Sequence, residues 1–260
     1  MLFPHLTPAG AAEPVRGLNG SPLSLYPSVT GTQFRDCFVN QASLAFNSEL
    51  TAGVSYYSRF GVSELAVKSA FLTLPYGSGS LGLNYNNYGF GEIMYHSFSV
   101  SGGMKLTETI AFGVDAGLEA TATSTEDAGR LSATCQAGLI FTLSENTRAG
   151  LHVVNPVPGR LRHTPLPSAL RAGASTYISD NLTLSVLFEK KTGTPLSLST
   201  GMAYNINESF EIKAGYSTEN NSLGFTGAFN FASFRAGISF LTHTRLGTSS
   251  IFSLSKSFSR

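Results

Sequence analysis

Residues 110–121 read IAFGVDAGLEAT and separate cleanly into two faces. Ile110, Phe112, Val114, Ala116, Leu118 and Ala120 are apolar, whereas Ala111, Gly113, Asp115, Gly117, Glu119 and Thr121 are small or charged. A period of two is the period of a strand, whose successive side chains point to opposite faces, and it excludes a helix here. The pattern leaves one question open. A soluble sandwich turns the greasy face inward, and a membrane barrel turns it outward to lipid.

The same alternation recurs from about residue 50 to the end. RLSATCQAGLIF places Leu131, Ala133, Cys135, Ala137 and Leu139 on the apolar side, and TLSVLFE does so with Leu184, Val186 and Phe188. FEIKAGYS and FRAGISF repeat it through Ile212 and Ile238. Strands are predicted near 51–59, 64–74, 79–88, 93–106, 109–123, 130–144, 147–155, 168–179, 181–191, 195–206, 209–218, 222–232, 234–243 and 248–259. That is an even set of about fourteen, with lengths near the roughly 9–11 residues that cross a bilayer at a tilt. The connections alternate in kind. LTET, SENT, SDNL, NINES and ASF are tight polar turns, whereas STEDAG, NPVPGRLRHTPLPS, KKTGTP and THTRLG are more variable. Tight turns on one rim and loops on the other are the habit of an outer-membrane barrel with both termini on the turn side.

Composition decides which face is outside. Charged residues are 13% of the chain, about half of the roughly 25% usual in soluble domains. No apolar run approaches the roughly 18 residues of a transmembrane helix. The polar parity is mostly Gly, Ser, Thr and Ala, too sparsely charged for a solvent-exposed sheet face. A single meander of so many strands also leaves exposed edges unless it closes. These features predict an all-β, transmembrane antiparallel β-barrel in a bacterial outer membrane, with Val114, Leu184 and Ile238 facing hydrocarbon. There is no Trp, so 19 Phe and 10 Tyr must supply any aromatic girdle. The final strand, ending SLSKSFSR, carries Phe258 near its terminus. A net charge of +1 gives no reason to expect nucleic acid as a partner. The opening MLFPHLTPAGAAEP has neither a basic start nor an apolar core and does not read as a signal peptide.

Residues 1–49 do not alternate and are rich in Pro and Gly. They read as a plug or hatch at the periplasmic mouth, with a short helix between Val39 and Phe46, and residues 50–260 as the barrel. The inward parity gathers Lys68, Asp115, Glu119, Arg171, Glu189, Glu211, Lys213 and Arg235 as lumen charges. Two roles are open to them: a salt-bridge network tying plug to wall, or a selectivity filter, which requires clustering at one depth. The long loop NPVPGRLRHTPLPSAL is stiffened by Pro156, Pro158, Pro165 and Pro167. It suits either a partner contact or a solvated cap.

No catalytic constellation is present. His5, His96, His152, His163 and His243 lack metal-ligand spacing, and no Gly-x-Ser-x-Gly elbow occurs. His96 lies on the apolar parity as a rim residue, and His152 points inward to hydrogen-bond in the lumen. Cys37 in the plug and Cys135 on the lipid parity are expected to stay unpaired, separated by the wall. No enzyme activity, cofactor or metal is expected.

FVNQASLAF, through Asn40, Ala42 and Leu44, resembles the Asn-Pro-Ala-Gly-Leu signature that precedes the first strand in FadL-type transporters and their PorV/PorQ-like relatives of Bacteroidetes. Gln41 stands where that signature has Pro, and Ser43 where it has Gly. The stretch GVSYYSRFGVSELAVKSAFLTLPYGSGSLGLNYNNYGFGEI is similar to the first two hairpins of such barrels, and LHVVNPV to a recurrent Asn-Pro element in them. The resemblance implies a fourteen-strand barrel with an N-terminal hatch, in which Asn40, Ala42 and Leu44 form the plug motif. It also frames three functions. One is an accessory or scaffold barrel of a type IX secretion-like system, binding other outer-membrane or secreted proteins. The alternatives are FadL-like transport of small hydrophobic ligands and a diffusion porin. Short loops and a small-residue lumen favour the first. Asn40 is expected to bond irregular backbone between plug and first strand, to cap the short helix, or both. Leu44 and Phe46 are expected to anchor the segment to the wall.

Overall fold

The computed structural model of this 260-residue chain describes residues 28–32, 34–90, 93–123, 130–156, 160–161, 164–166, 168–219, 221–244 and 247–258. Two short 3-10 helices come first, η1 (Phe34–Phe38) and η2 (Gln41–Phe46). Then follow β1 (Leu50–Arg59), β2 (Val62–Tyr76), β3 (Gly79–Phe90), β4 (Ile93–Lys105), β5 (Ile110–Thr123), β6 (Arg130–Thr142) and β7 (Thr147–Val154). A two-residue ladder, β8 (Arg160–Leu161) with β9 (Thr164–Pro165), lies inside the long loop. The chain continues through β10 (Ala169–Ser179), β11 (Leu182–Lys191), β12 (Leu196–Asn205), β13 (Phe210–Ser217), β14 (Ser222–Phe231), β15 (Phe234–His243) and β16 (Gly247–Phe258).

Fourteen of these strands form one closed antiparallel barrel in sequence order, and β16 returns to pair with β1 from Leu50↔Phe258 to Ser58↔Ser250. The strand count read from the alternation therefore holds, and boundaries move by a few residues. The β8–β9 ladder was not expected; a proline-rich loop gives no alternation to read.

The orientation is also as the composition indicated. Val114, Leu184 and Ile238 are 46%, 42% and 37% exposed on the outer wall. Their chain neighbours Asp115 and Ser239 are buried on the inner one. The outer wall is largely apolar, and at the terminal rim it forms a girdle. There Phe210 packs on Phe229 at 4.6 Å, Phe229 on Phe231 at 5.7 Å, and Phe231 on Phe234 at 5.4 Å. The Lys256 ammonium lies over the rings of Phe234 and Phe258 at 5.0 and 4.9 Å. A cation among rings at the bilayer edge is a favourable arrangement, because the ring face attracts it while its head stays near water. With Trp absent, phenylalanines supply this girdle.

One inward assignment is corrected. Lys68 is exposed on the outer wall, between Val67 and Ser69, which are buried on the inner one. Alternation misleads in β2 because both of its faces are partly apolar. Leu72 and Leu74 face out, while Val67 and Phe71 face in, where Phe71 meets Phe38 of η1 edge-on at 5.2 Å. A register shift between Tyr57 and Arg59 of β1, opposite the start of β2, blurs the parity further.

Lipid contact sets a depth-dependent cost for charge. Val114→Arg should lower stability by roughly 2–4 kcal/mol, and Leu131→Arg, close to the loop-side end of β6, by roughly 0–1 kcal/mol. Urea unfolding in lipid vesicles, followed by heat-modifiable gel mobility, measures both. Equal costs would mean that the apolar band does not run through Val114.

Candidate functional site: the lumen and its inner segment

Ser28–Thr32 and Phe34–Glu49 run round the inner wall from β10 back to β1 before the chain enters the barrel. Thr30 Oγ1 donates to Ser175 Oγ of β10 at 2.7 Å. At the other end Asn47 Nδ2 donates to Thr73 Oγ1 and Ser80 Oγ, both at 3.3 Å, and Ser80 Oγ donates to the Asn47 carbonyl at 2.8 Å. Residues 1–27, part of the expected plug, lie outside the described residues, as do His5 and His163.

What lets the segment lie so close is glycine. Gly103, Gly113 and Gly138 are directly opposite one another across β4, β5 and β6, and Gly150 is opposite Gly173 across β7 and β10. A methyl group at Gly113 would strike the backbone between Gln41 and Ala42, and one at Gly138 would strike the Asn40 amide oxygen. At Gly103 it would come within 2.8 Å of Leu44 Cβ, and at Gly173 within 2.8 Å of Val29 Cγ1. The inward glycines thus form a bare track on which another backbone rests.

Asn40 sits at the centre of the track and is fully buried. Its side-chain oxygen accepts from Ala42 N at 3.1 Å, which caps η2. Its Nδ2 donates to the Val29 carbonyl at 2.7 Å and to the wall carbonyls of Leu139 and Leu151 at 3.2 and 3.4 Å. One amide therefore ties together two turns of the segment and two strands. It lies deep in the lumen, whereas Asn47 occupies the junction with β1. Ala42 packs with Ala45, Ala111 and Ile140, and Phe46 joins that cluster. Leu44 is fully buried against Gly82 and Gly103. Phe46 is also flanked by two cations, Lys105 Nζ at 5.2 Å and the Arg148 guanidinium at 5.8 Å from the ring centre. Gln41 Oε1 and His152 Nε2 of β7 are hydrogen-bonded at 3.0 Å.

The inward charges are brought together in two groups. Arg171 bonds Glu189 at 2.7 Å, and Lys191 bridges Glu189 at 2.9 Å and Glu219 at 2.6 Å. Glu211 pairs with Lys213 at 3.5 Å and with Arg235. Among the described residues these pairs run from wall to wall rather than from wall to segment. Asp115 and Glu119 stand apart on β5. Gln136 Nε2 donates to Asp115 at 3.3 Å and Ser97 Oγ to Glu119 at 3.0 Å. Lys191, Arg148 and Lys105 were not singled out in the sequence; their roles depend on neighbours on other strands. Cys37 is buried in the segment, Cys135 is exposed on the outer wall, and both are free.

The described residues of the segment do not fill the barrel. A cavity of about 570 Å³ opens beside it at the terminal mouth, bounded by Phe46, Asn47, Asn230, Arg235 and Ser255. At the loop-side mouth the inner wall turns apolar. Val67 and Tyr88 are buried there with Tyr57, Leu65 and Tyr95, and Leu166 from the long loop packs on Tyr95.

Among solved structures the chain is similar to the toluene transporter TbuX of Ralstonia pickettii, with 12% identity over 94% of this chain and 100% of that one and a TM-score of 0.69. It is similar to the toluene transporter TodX of Pseudomonas putida, with 11% identity over 92% and 97% and a TM-score of 0.70. A FadL homologue of Pseudomonas aeruginosa gives 11%, 93%, 97% and 0.64. The fold is that of these transporters. At such identities the likeness carries the architecture and no residue roles. No family model and no curated protein matches the sequence. A closed barrel with an apolar outer wall and a polar, occupied lumen is an outer-membrane protein, as the alternation and composition indicated.

Two substitutions test the seat of the segment. Asn40→Leu removes four hydrogen bonds from a buried site and should loosen residues 28–49 by about 1–3 kcal/mol. Gly113→Val should displace the same residues by steric collision. In both variants, limited proteolysis from the terminal side should cut within 28–49 while heat-modifiable mobility shows an intact barrel. Protection equal to the parent would mean that neither contact fastens the segment.

Proposed function

We propose that this barrel passes small hydrophobic molecules across the outer membrane, with residues 1–49 acting as a plug that blocks free diffusion. The observation that carries the reading is the inward apolar patch of Tyr57, Leu65, Val67, Tyr88 and Tyr95 at the loop-side mouth. A purely polar pore has no use for it, because inward apolar surface binds apolar solutes and repels hydrated ones. The overlap with two toluene transporters along nearly the whole chain supports the same reading. The accessory, type IX secretion-like role implied by the PorV/PorQ-like resemblance finds no support among the solved neighbours. In this reading Asn40, Ala42 and Leu44 hold the plug. The paired Arg171, Glu189, Glu211, Lys213 and Arg235 brace the wall on the side that the segment leaves uncovered.

Uptake measurements decide between a hydrophobic carrier and a porin. In a bacterial host without its own hydrocarbon transporter, the full-length protein should speed entry of radiolabelled toluene. Tyr88→Glu should reduce that entry while the barrel stays folded. The same protein in a planar bilayer should show no stable ion conductance. Steady open-channel currents without toluene uptake would make it a porin.

A further inference from the structure

Lys68 raises a problem that the transport reading does not touch. A lysine on the lipid-facing wall costs about 2–4 kcal/mol at mid-bilayer, so its position must be compensated. It belongs to a row that crosses the outer wall in register: Ile238, Phe252, Tyr56, Lys68, Asn87, His96 and Ala120 are successive cross-strand partners from β15 to β5. Because the strands tilt, this row climbs. Ile238 lies midway along β15 (Phe234–His243), whereas Ala120 lies close to the loop-side end of β5 (Ile110–Thr123). The row is apolar at Ile238 and Phe252 and polar from Lys68 to His96, in its upper part. At about 3.3 Å per residue and a tilt near 40°, Lys68 stands roughly 20 Å above Tyr76, near the top of an apolar band roughly 25 Å tall. The polar part of the row therefore meets the headgroups of the loop-side leaflet.

The polar groups there are arranged to donate. Tyr85 Oη lies 2.8 Å from His96 Nδ1, with the two rings stacked, and Asn87 Nδ2 lies 3.3 Å from the same nitrogen. With the Asn87 amide oriented so that its NH2 faces the ring, Nδ1 accepts and the ring proton sits on Nε2. Lys68 is the cross-strand neighbour of Asn87, and no ion pair engages it among the described residues. An ammonium and an imidazole N–H thus share a face with no carboxylate on the row, which is the complement of an anion held at headgroup depth.

We propose that Lys68, Asn87 and His96 form a docking point on the outer wall for the phosphate group of a membrane lipid in the loop-side leaflet. The lipid's chains lie along the apolar wall below, against Leu83, Phe98 and Leu118, all exposed on the same strands. The proposal is independent of what crosses the lumen.

Native mass spectrometry of the full-length protein tests it. The protein is reconstituted into phosphatidylcholine vesicles doped with diphosphorylated lipid A and extracted gently. The parent should retain a lipid A adduct. Fully dephosphorylated lipid A of the same acylation should be retained roughly tenfold less, the factor expected for one charge-assisted hydrogen bond. Lys68→Gln and His96→Phe should lower retention of the phosphorylated lipid to a similar degree, with heat-modifiable mobility confirming a folded barrel. Lys256→Gln, at the opposite rim, should retain it as the parent does. Equal retention of the two lipids, or an unchanged adduct in Lys68→Gln, would overturn the proposal. So would a parent dimer without lipid that dissociates in Lys68→Gln, because the patch would then be a contact between two copies of this chain.

Discussion

In hydrocarbon, a backbone N–H or C=O has no water to turn to, so a sheet can cross a bilayer only if its first and last strands pair. The ladder between β1 and β16 meets that demand here, and the other properties of the molecule follow from it. Closure assigns every strand an outer face in lipid and an inner face in a lumen, and so gives the two-residue period its meaning. It also requires the strands to tilt. Tilt makes a row of cross-strand partners climb the wall, and it is this climb that carries Lys68 and His96 from the level of the apolar band to its upper edge.

Closure also creates an interior that must be managed. A ring of fourteen strands is too wide for its own inward side chains to fill, and this chain lines it with small residues rather than large ones. Glycines opposite one another on β4, β5 and β6 leave the wall bare enough for a second backbone to rest on it. Asn40 then bonds to carbonyls of two wall strands and to the segment itself. The geometry is economical, because an irregular stretch of buried backbone needs its polar groups paired, and one amide provides four of those bonds. Elsewhere on the wall, Arg171 pairs with Glu189 and Arg235 with Glu211 from strand to strand.

The apolar patch at the loop-side mouth and the polar row on the outer wall are two exceptions to the barrel's own rule. One places greasy side chains inside and the other places donors outside. Such local inconsistencies occur where a surface serves something other than folding. In the proposed readings the inner one meets a solute and the outer one a headgroup, and each departs from the pattern only over a few neighbouring strands.

The sequence by itself determined the architecture: strand number, the lipid-facing side, the turn-side position of the barrel's first and last strand ends and the end of strand alternation before residue 50. It could do so because alternation and turn chemistry are local, and each strand states its own faces. The sequence also drew attention to Asn40 and Leu44 through a short motif. Tertiary structure alone decided which wall the segment lies on, because that depends on glycines far apart in the chain meeting in register. It likewise decided the ion pairs of Glu189 with Arg171 and of Glu211 with Arg235, which lie on other strands whose order along the chain says nothing of side-chain reach. Lys68 shows the limit most directly. In β2 both faces carry apolar residues, one against lipid and one against η1, so a period of two no longer tells inside from outside. Only the packing of Phe38 on Phe71 settles which way the lysine points.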